Sequence, residues 1–327
     1  MTGSGVTDSD WRPGATQHTL RLRAQLLAQA RAFFAERGVL EVDTPLLVRH
    51  AVTDPQLHCA EVHLPGRPGS LYLISSPEYA MKRLLAAGSG DIYQMSHVFR
   101  GDESGRLHNA EFMLIEWYRL GCSLHALMHE TAQLAAQLLQ LADGSPELVS
   151  YSEAFERHAG VDPLRLDERA ARSLALAHGL DRHATERFTL AELTDWLIGA
   201  VIGPQLGGQR LCCLHHYPAS QASLARLDPA DARFALRFEL YFRGVELANG
   251  FEELADPVEQ RARFLTDQQE RQARGLPVHA TDERLLAALQ SGLPAVAGVA
   301  LGFDRLLLLR SGAAALGQIM PFTLERA

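Results

Sequence analysis

The segment spanning residues 97–120 constrains the fold more strongly than any other part of the chain. The apolar runs QMSHVF and FMLIEWY flank a polar stretch that contains glycines, acids and arginines. Apolar runs on either side of a polar stretch predict two strands joined by a long charged loop. Because side chains alternate along a strand, Phe112, Glu116 and Tyr118 would share one face, and Met113 would point to the other.

The charged residues of this segment predict a ligand site. Glu116 stands among apolar strand residues, and burying an unpaired carboxylate is costly, so we expect it to bind a cationic group. Arg100 ends the first strand and Arg106 lies in the loop, where two guanidinium groups could converge on phosphate oxygens. The alternative is a solvated hairpin with a surface ion pair, because arginine and glutamate are ordinary residues of exposed loops.

Composition and charge narrow the function classes. A chain of 327 residues with 47% hydrophobic and 21% charged residues can bury a large core, as one large or two modest domains. Its 39 acids outnumber its 31 bases and no basic tail occurs, which argues against broad nucleic-acid binding. No secretory signal is recognisable, and no run approaches the roughly 18 apolar residues of a membrane span.

The cysteines and histidines indicate neither a disulfide scaffold nor a metal centre. The four cysteines lack both CxxC spacing and disulfide-rich density, so a reduced cytoplasmic setting is expected. His125 and His129 lie one helical turn apart and could bind a metal. With no third ligand nearby, a solvated helix face is the favoured interpretation.

The order of elements can be predicted from the apolar pattern and from the glycines and prolines that interrupt it. Residues 1–15 are polar and glycine-rich, which predicts a mobile tail before a domain that covers 16–327. A helical stripe over 16–37 is stopped by Gly38. Short helical patterns, broken by glycines and prolines over about 143–208, predict a small helical insertion between parts of the sheet.

Three evenly spaced glutamates lie within and after the predicted strand at 232–242. Glu239, Glu246 and Glu253 are spaced by seven residues each. Glu239 and Glu246 differ in strand parity, so a turn or bulge near Gly244 would be needed to bring them to one side.

Four segments together resemble the class II aminoacyl-tRNA synthetases of the lysine type. Residues 97–120 carry Phe-Arg-x-acid, Arg-x-His-Asn-x-Glu-Phe and Glu-Trp-Tyr, as in motif 2, and residues 37–48 with Pro45 resemble motif 1. The run AGVALGFDRLLLL at 297–309 resembles motif 3, and residues 239–253 resemble the lysine-specific block between motifs 2 and 3. The resemblance covers nearly the whole chain. It implies an α+β fold with a largely antiparallel sheet flanked by helices, and a homodimer formed through motif 1.

The resemblance carries ATP and Mg²⁺ contacts onto this chain. Arg100 and Arg305 match the catalytic arginines, and adenine would lie between Phe112 and Arg305, where a cation–π contact favours a stacked guanidinium. Glu239 and Glu246 match the magnesium ligands, and Glu246 also contacts the nucleotide. The other matched nucleotide contacts are Gly101, Asp102, Asn109, Leu247 and Gly302.

The resemblance also implies an amino-acid pocket. Ser-Pro-Glu at 76–78 matches the segment that binds the substrate's alpha-amino group, although Glu78 equally suits the first turn of a helix, where the dipole favours a carboxylate. Asn249 would meet the substrate carboxylate, and Glu253 the distal amine. The implied pocket residues are Ser76, Pro77, Glu78, Glu116, Tyr118, Asn249, Glu253 and Ala300.

Three positions depart from the family pattern. Asp102 stands where the family usually has glutamate, Ala110 where it has proline, and Ala300 where synthetases have glycine. The neighbouring Glu103 could take the place of the missing glutamate. The alanine at 300 is shared with a group of lysyl-tRNA synthetase paralogues, and it favours that group.

The segment before motif 1 bears on the acceptor of the activated amino acid. Only a short tail precedes motif 1, and we therefore expect no anticodon-binding domain. The chain thus resembles stand-alone paralogues that ligate lysine or beta-lysine to a lysine of elongation factor P, with tRNA not expected as a partner. Two alternatives stay open: an enzyme with another acceptor, either a free amine or tRNA, and an inactive paralogue that senses an amino acid. Intact Arg100, Glu239 and Arg305 speak against the second alternative.

Overall fold

The computed structural model describes residues 11–101 and 103–327. Asp102 and the first ten residues of the predicted tail therefore lie outside the described residues. Within the rest of that tail, the Gly14 amide donates to the Pro321 carbonyl at 2.8 Å, and Ala15 is buried. The division into a tail, a catalytic domain and an insertion stays a prediction.

The predicted fold class is confirmed, since a large and mostly antiparallel sheet is flanked by helices. The eight strands of this sheet follow the order β1-β5-β6-β11-β10-β9-β8-β7, and a small sheet has the order β2-β4-β3. The β1–β5 and β7–β8 pairs are parallel, whereas β8–β9, β9–β10 and β10–β11 are antiparallel. The strands are β1 Leu40–Glu41, β2 Leu47–Val48, β3 Glu61–Val62, β4 Leu71–Leu73, β5 Ile92–Phe99, β6 Glu111–Leu120, β7 Glu147–Ser150, β8 Cys212–Pro218, β9 Phe234–Phe242, β10 Val245–Glu252 and β11 Val296–Gly302.

Several of the α-helices begin at N-cap residues that the sequence provides. Thr16, Ser123 and Asp256 each place a side-chain oxygen on a backbone amide of the first turn, as N-cap residues do. The helices are α1 Gln17–Glu36, α2 Glu78–Ala86, α3 Leu124–Leu139, α4 Tyr151–Ala159, α5 Glu168–Ala177, α6 Arg182–Arg187, α7 Leu190–Leu197, α8 Pro257–Ala273, α9 Glu283–Gly292 and α10 Phe303–Ser311. Among the described residues, none of these helices is long and apolar enough to cross a membrane.

The chain forms two compact units. The first comprises the residues up to Trp117 together with Asp256–Leu293 and Gly302–Ala327, and the second comprises Tyr118–Ala255 and Pro294–Leu301. In the second unit, the segment predicted as helical begins with β7, a strand that pairs with β8, and only then continues into α4–α7. The apolar side of α4 packs on β8 through Tyr151 and Phe155.

The alternation predicted for β6 is confirmed in the first unit. Trp117 lies against Phe34 of α1, with ring centroids 5.3 Å apart. Met113 Sδ accepts from Arg23 Nη2 of α1 at 3.8 Å, and Arg23 also pairs with Asp304 of α10 at 2.5 Å. One face of β6 is therefore fixed against helices, which leaves the opposite face for Phe112 and Glu116.

Candidate active site

Arg100 lies where β5 ends and the charged loop begins. Its Nη1 donates to Glu103 Oε1 at 3.0 Å, and its guanidinium carbon is 5.0 Å from the centre of the Phe112 ring. The Gly101 amide donates to the His58 carbonyl at 2.7 Å. A side chain at Gly101 would place its Cβ 3.3 Å from that carbonyl oxygen, so glycine allows the close approach. The loop thus presents an arginine beside an aromatic ring.

Arg305 faces the same loop from the first turn of α10. Its Nε donates to the Leu107 carbonyl at 3.3 Å, and its Nη2 lies 2.8 Å from His108 Nε2. Burial and the charge of Arg305 lower the pKa of His108, so the imidazole accepts this hydrogen bond in its neutral form. Asn109 in turn donates from Nδ2 to the Glu111 carbonyl at 2.7 Å, which fixes the end of the loop onto β6.

The expected convergence of Arg100 and Arg106 is not found. Arg106 is exposed, and its Nη1 donates to the Ala314 carbonyl at 3.4 Å, whereas Arg100 pairs with Glu103. The Arg106 carbonyl also accepts from the Leu316 amide at 3.0 Å. The C-terminal segment therefore holds this part of the loop, and Arg100 and Arg305 are the arginines that remain as candidates for phosphate or adenine contacts.

A hydrogen-bonded chain links the start of α2 to β6. Glu116 is only 2% exposed, which confirms its predicted burial. Ser76 Oγ donates to Glu116 Oε2 at 2.8 Å and accepts from the Glu78 amide at 3.0 Å. Lys82 Nζ donates to Glu78 Oε1 at 2.6 Å. Two carboxylates that the sequence proposed for amine recognition are thereby brought into one connected group.

In the second unit, the hairpin of β9 and β10 carries the acidic block. Its two-residue turn has positive φ at both positions, 51° at Arg243 and 71° at Gly244, as hairpin turns of type I′ require. The register shifts between Glu246 and Ala248, so Leu247 forms a bulge. The turn or bulge that strand parity required is therefore present. The chain turns at Arg243 and Gly244, and it bulges at Leu247, three residues beyond Gly244.

Glu239 is buried in this hairpin and accepts hydrogen bonds from two neighbouring side chains. Its Oε1 accepts from Arg237 Nη2 at 2.6 Å, and its Oε2 accepts from the Tyr241 hydroxyl at 2.7 Å. Burial raises the pKa of Glu239, and the negative charge of Glu246 raises it further. The two carboxylates therefore lie close enough to repel each other.

The donor set of Glu239 and Glu246 fits a hard divalent cation. Each carboxylate oxygen can accept more than one contact, so the hydrogen bonds to Glu239 leave lone pairs for a metal. Within the part of the chain that the structure describes, no cluster of three or more metal-type side chains occurs. A cation held here would therefore need further oxygen ligands from outside the protein, as Mg²⁺ does when it is bound with nucleotide phosphates.

The predicted amine pocket of the second unit surrounds Gly298. A Cβ atom at this glycine would lie 2.6 Å from Glu253 Oε1 and closer still to the Tyr118 ring. Glu253 is buried, and its amide is held by the Val296 carbonyl at 3.0 Å. In the neighbouring register, Ala300 of β11 is paired with Asn249 of β10. The absence of a side chain at Gly298 leaves room for Tyr118 and Glu253, which both approach this position.

Comparison with known proteins decides the family. The family model of class II tRNA synthetases (D, K and N) matches residues 9–326. The chain belongs to this family. Among curated proteins, the elongation factor P–(R)-beta-lysine ligase of Edwardsiella ictaluri is 47% identical over 324 residues, which cover 98% of this chain and 99% of the relative. The ligases of the same name from Photorhabdus laumondii and Vibrio cholerae are each 46% identical over 327 residues, covering 98% of this chain and 99% and 100% of theirs.

Two residues of this class II synthetase chain were missed by the sequence reasoning. Arg237 contacts Glu239, and Lys82 contacts Glu78. Signals for both existed. Arg237 precedes Glu239 by two positions on one strand face, and Lys82 follows Glu78 at the i,i+4 spacing that brings helical side chains together.

Proposed function

We propose that the chain is an ATP-dependent ligase that activates lysine, in its (R)-beta isomer, and transfers it to a lysine side chain of elongation factor P. The observation that carries this proposal is the similarity, over almost the whole of both chains, to relatives that bear that name. The two hydrogen-bonded groups around Glu78 and Glu239 supply the chemistry that such a reaction requires.

Activation is a displacement at the alpha-phosphorus of ATP. An oxygen of the lysine carboxylate forms a bond to phosphorus, the bond to pyrophosphate breaks, and an aminoacyl-adenylate results. Negative charge develops on the phosphoryl oxygens during this step, and Arg100 would neutralise it. We assign Phe112 and Arg305 to the adenine ring. Phe112 lies beside Arg100, and this proximity to the arginine assigned to the phosphoryl oxygens supports its assignment.

Glu239 and Glu246 are the residues that would hold Mg²⁺. A bound Mg²⁺ supplies charge neutralisation for the pyrophosphate that leaves. The raised pKa of Glu239, caused by burial and by Glu246, supports the assignment because a divalent cation would relieve this excess of negative charge. Arg237 orients the Glu239 carboxylate through a hydrogen bond of 2.6 Å.

The substrate is recognised through its amines and its carboxylate. We assign Glu78 and Glu116 to one ammonium group, Glu253 to the other and Asn249 to the carboxylate. In the transfer step, a neutral amine of the acceptor lysine attacks the acyl carbon, AMP leaves, and the amine loses a proton. No covalent intermediate with this chain is needed.

ATP–pyrophosphate exchange tests the activation step. Exchange should depend on added lysine, should be stronger with the (R)-beta isomer than with the alpha isomer, and should require Mg²⁺. Intact-mass spectrometry tests the transfer, because elongation factor P should gain one lysyl mass. A tRNA charging assay is run beside it. Efficient charging of lysine tRNA without a mass gain on the protein would replace this proposal with a minimal synthetase.

We also propose a homodimer, which rests on the resemblance of residues 37–48 to motif 1. Leu40 of the outer strand β1 is 56% exposed, which supports a covered face in the assembly. Light scattering coupled to size-exclusion chromatography should give twice the chain mass of 35.9 kDa. The chain mass itself, at micromolar concentration, would contradict the dimer.

A further inference from the structure

The chain contains 31 lysines and arginines, and Lys82 is the single lysine among them. Its side chain is 1% exposed, within α2. Burying an ammonium group carries a large desolvation cost unless a partner compensates it. Where arginine is otherwise used throughout, this position has a compact ammonium instead, which is a point charge with rotatable donors rather than a planar fork.

The partner of this ammonium is one oxygen of Glu78. Lys82 Nζ donates to Glu78 Oε1 at 2.6 Å, one helical turn away. The Glu78 side chain remains 14% exposed, and the hydrogen bond from Lys82 is made to Oε1 rather than to Oε2. One oxygen is thus held from inside the helix while the other stays available.

Ser76 fixes the start of α2 beside Glu116. Its Oγ donates to Glu116 Oε2 at 2.8 Å and accepts from the backbone amide of Glu78 at 3.0 Å, while Lys82 Nζ donates to the Glu78 carboxylate at 2.6 Å. The carboxylates of Glu78 and Glu116 are thus held by separate hydrogen bonds near the start of α2. Carboxylates held in this way form charge-assisted hydrogen bonds with an ammonium group.

We propose that Lys82 is a positioning residue for the amino-acid substrate: its ammonium fixes Glu78 Oε1, so that Oε2 is aimed at one ammonium group of a diamino acid. This inference rests on the proposed function, because it takes lysine activation as the reaction. Lys82 itself does not contact the substrate. Its effect on substrate binding passes through Glu78, which gives the inference a signature that a merely structural lysine would not produce.

The experiment is a double-mutant cycle read by lysine-dependent pyrophosphate exchange. Lys82→Met removes the charge and keeps an unbranched apolar side chain of similar length, so the helix should stay packed. It should raise the KM for lysine about tenfold or more, and leave the KM for ATP within about twofold. In the Glu78→Gln background, Lys82→Met should raise the KM for lysine no further. Arg83→Met is the matched control on the next, exposed position of α2, and its KM for lysine should equal that of the unaltered protein.

The possible outcomes separate this inference from the proposed function. A wild-type KM for lysine in the Lys82→Met variant would overturn the inference. It would also be overturned if Lys82→Met raised the KM for lysine equally in the unaltered protein and in the Glu78→Gln background. Lack of lysine-dependent exchange in the unaltered protein would instead overturn the proposed function. Thermal unfolding is measured for every variant, and Lys82→Gln takes the place of Lys82→Met in the same cycle if the latter does not fold.

Discussion

The guanidinium group of Arg237 donates to Glu239 at 2.6 Å from two positions earlier on the same face of β9. Its Nε also donates to Asn249 Oδ1 at 3.3 Å, and its guanidinium carbon lies 4.2 Å from the centre of the Tyr217 ring. Since Oδ1 of Asn249 accepts from Arg237, the amide nitrogen of Asn249 is the atom left to donate to a substrate carboxylate. One arginine thus orients a proposed metal ligand and a proposed substrate ligand.

Arg237→Met should destabilise the protein. Only 16% of the Arg237 side chain and 9% of the Glu239 side chain are exposed, so the variant leaves a buried carboxylate without its cation. The free energy of unfolding should fall by about 3 kcal/mol, measured by urea denaturation at pH 7. Arg233→Met is the matched control, because Arg233 and Asp231 form an exposed pair just before β9. Unchanged stability in Arg237→Met would show that solvent compensates the carboxylate.

The hairpin of β9 and β10 shows which structural features could be predicted from the sequence. Parity along the strands required an irregularity between Glu239 and Glu246, and alternation predicted which residues of β6 face the helices. The position of the bulge at Leu247 did not follow, because it depends on which backbone groups pair across the two strands. Sequence patterns determine faces well, whereas register is decided by tertiary pairing.

Gly298→Ala should weaken lysine binding more than it weakens folding. The added methyl group would lie 2.6 Å from Glu253 Oε1 and closer to Tyr118, so one of these two side chains must move. The KM for lysine in pyrophosphate exchange should rise about tenfold or more if that shift reaches the amine site. Gly208→Ala is the control, because nothing lies within 4 Å of its Cβ position. Equal kinetics in the two variants would remove Gly298 from the pocket.

The candidate site was only partly accessible from the sequence. Glu116 and Glu239 stood out because carboxylates within apolar strands need partners. Spacing alone could have paired Arg237 with Glu239 and Lys82 with Glu78. It could not show that these basic side chains are buried, since burial is a property of the folded packing and not of the local pattern. The same limit explains Arg106, whose place in the loop suggested phosphate contact but whose Nη1 donates to the Ala314 carbonyl.

His215 should make the stability depend on pH. Burial, and then the charges of His216 and His125, lower the pKa of His215 to about 4, below its ordinary value of 6.5. The unfolded chain therefore binds a proton more readily, and the stabilisation that is present above about pH 6.5 is lost as the pH falls towards about 4. The loss should reach about 2 to 3 kcal/mol in urea titrations across this range. His215→Gln should flatten the profile, and the exposed His18→Gln should not.

Ala300→Gly should change the choice between lysine isomers. Ala300 is paired with Asn249, which we assign to the substrate carboxylate, so its methyl group lies beside that end of the proposed pocket. Alpha- and beta-lysine differ by a one-carbon shift of an amine, and removing the methyl group should favour the alpha isomer by about 1 to 3 kcal/mol. The ratio of kcat/KM for the two isomers measures this effect. Equal changes for both isomers would show that the methyl group does not discriminate.

Glu246→Gln should stabilise the protein without ligands and impair its reaction. Burial and the negative charge of Glu246 raise the pKa of Glu239, so removal of the second charge relieves repulsion in the hairpin. The free energy of unfolding at pH 7, without nucleotide or Mg²⁺, should rise by about 0.5 to 2 kcal/mol.

Pyrophosphate exchange by the Glu246→Gln variant should require a higher Mg²⁺ concentration, because one of two proposed ligands has lost its charge. Glu252→Gln on the same strand provides the contrast. Glu252 accepts from the Leu124 amide at 2.9 Å and lies 3.7 Å from Arg226, so its neutralisation should lower stability and leave the Mg²⁺ requirement unchanged. An unchanged Mg²⁺ requirement in Glu246→Gln would remove Glu246 from the metal site, whatever its effect on stability.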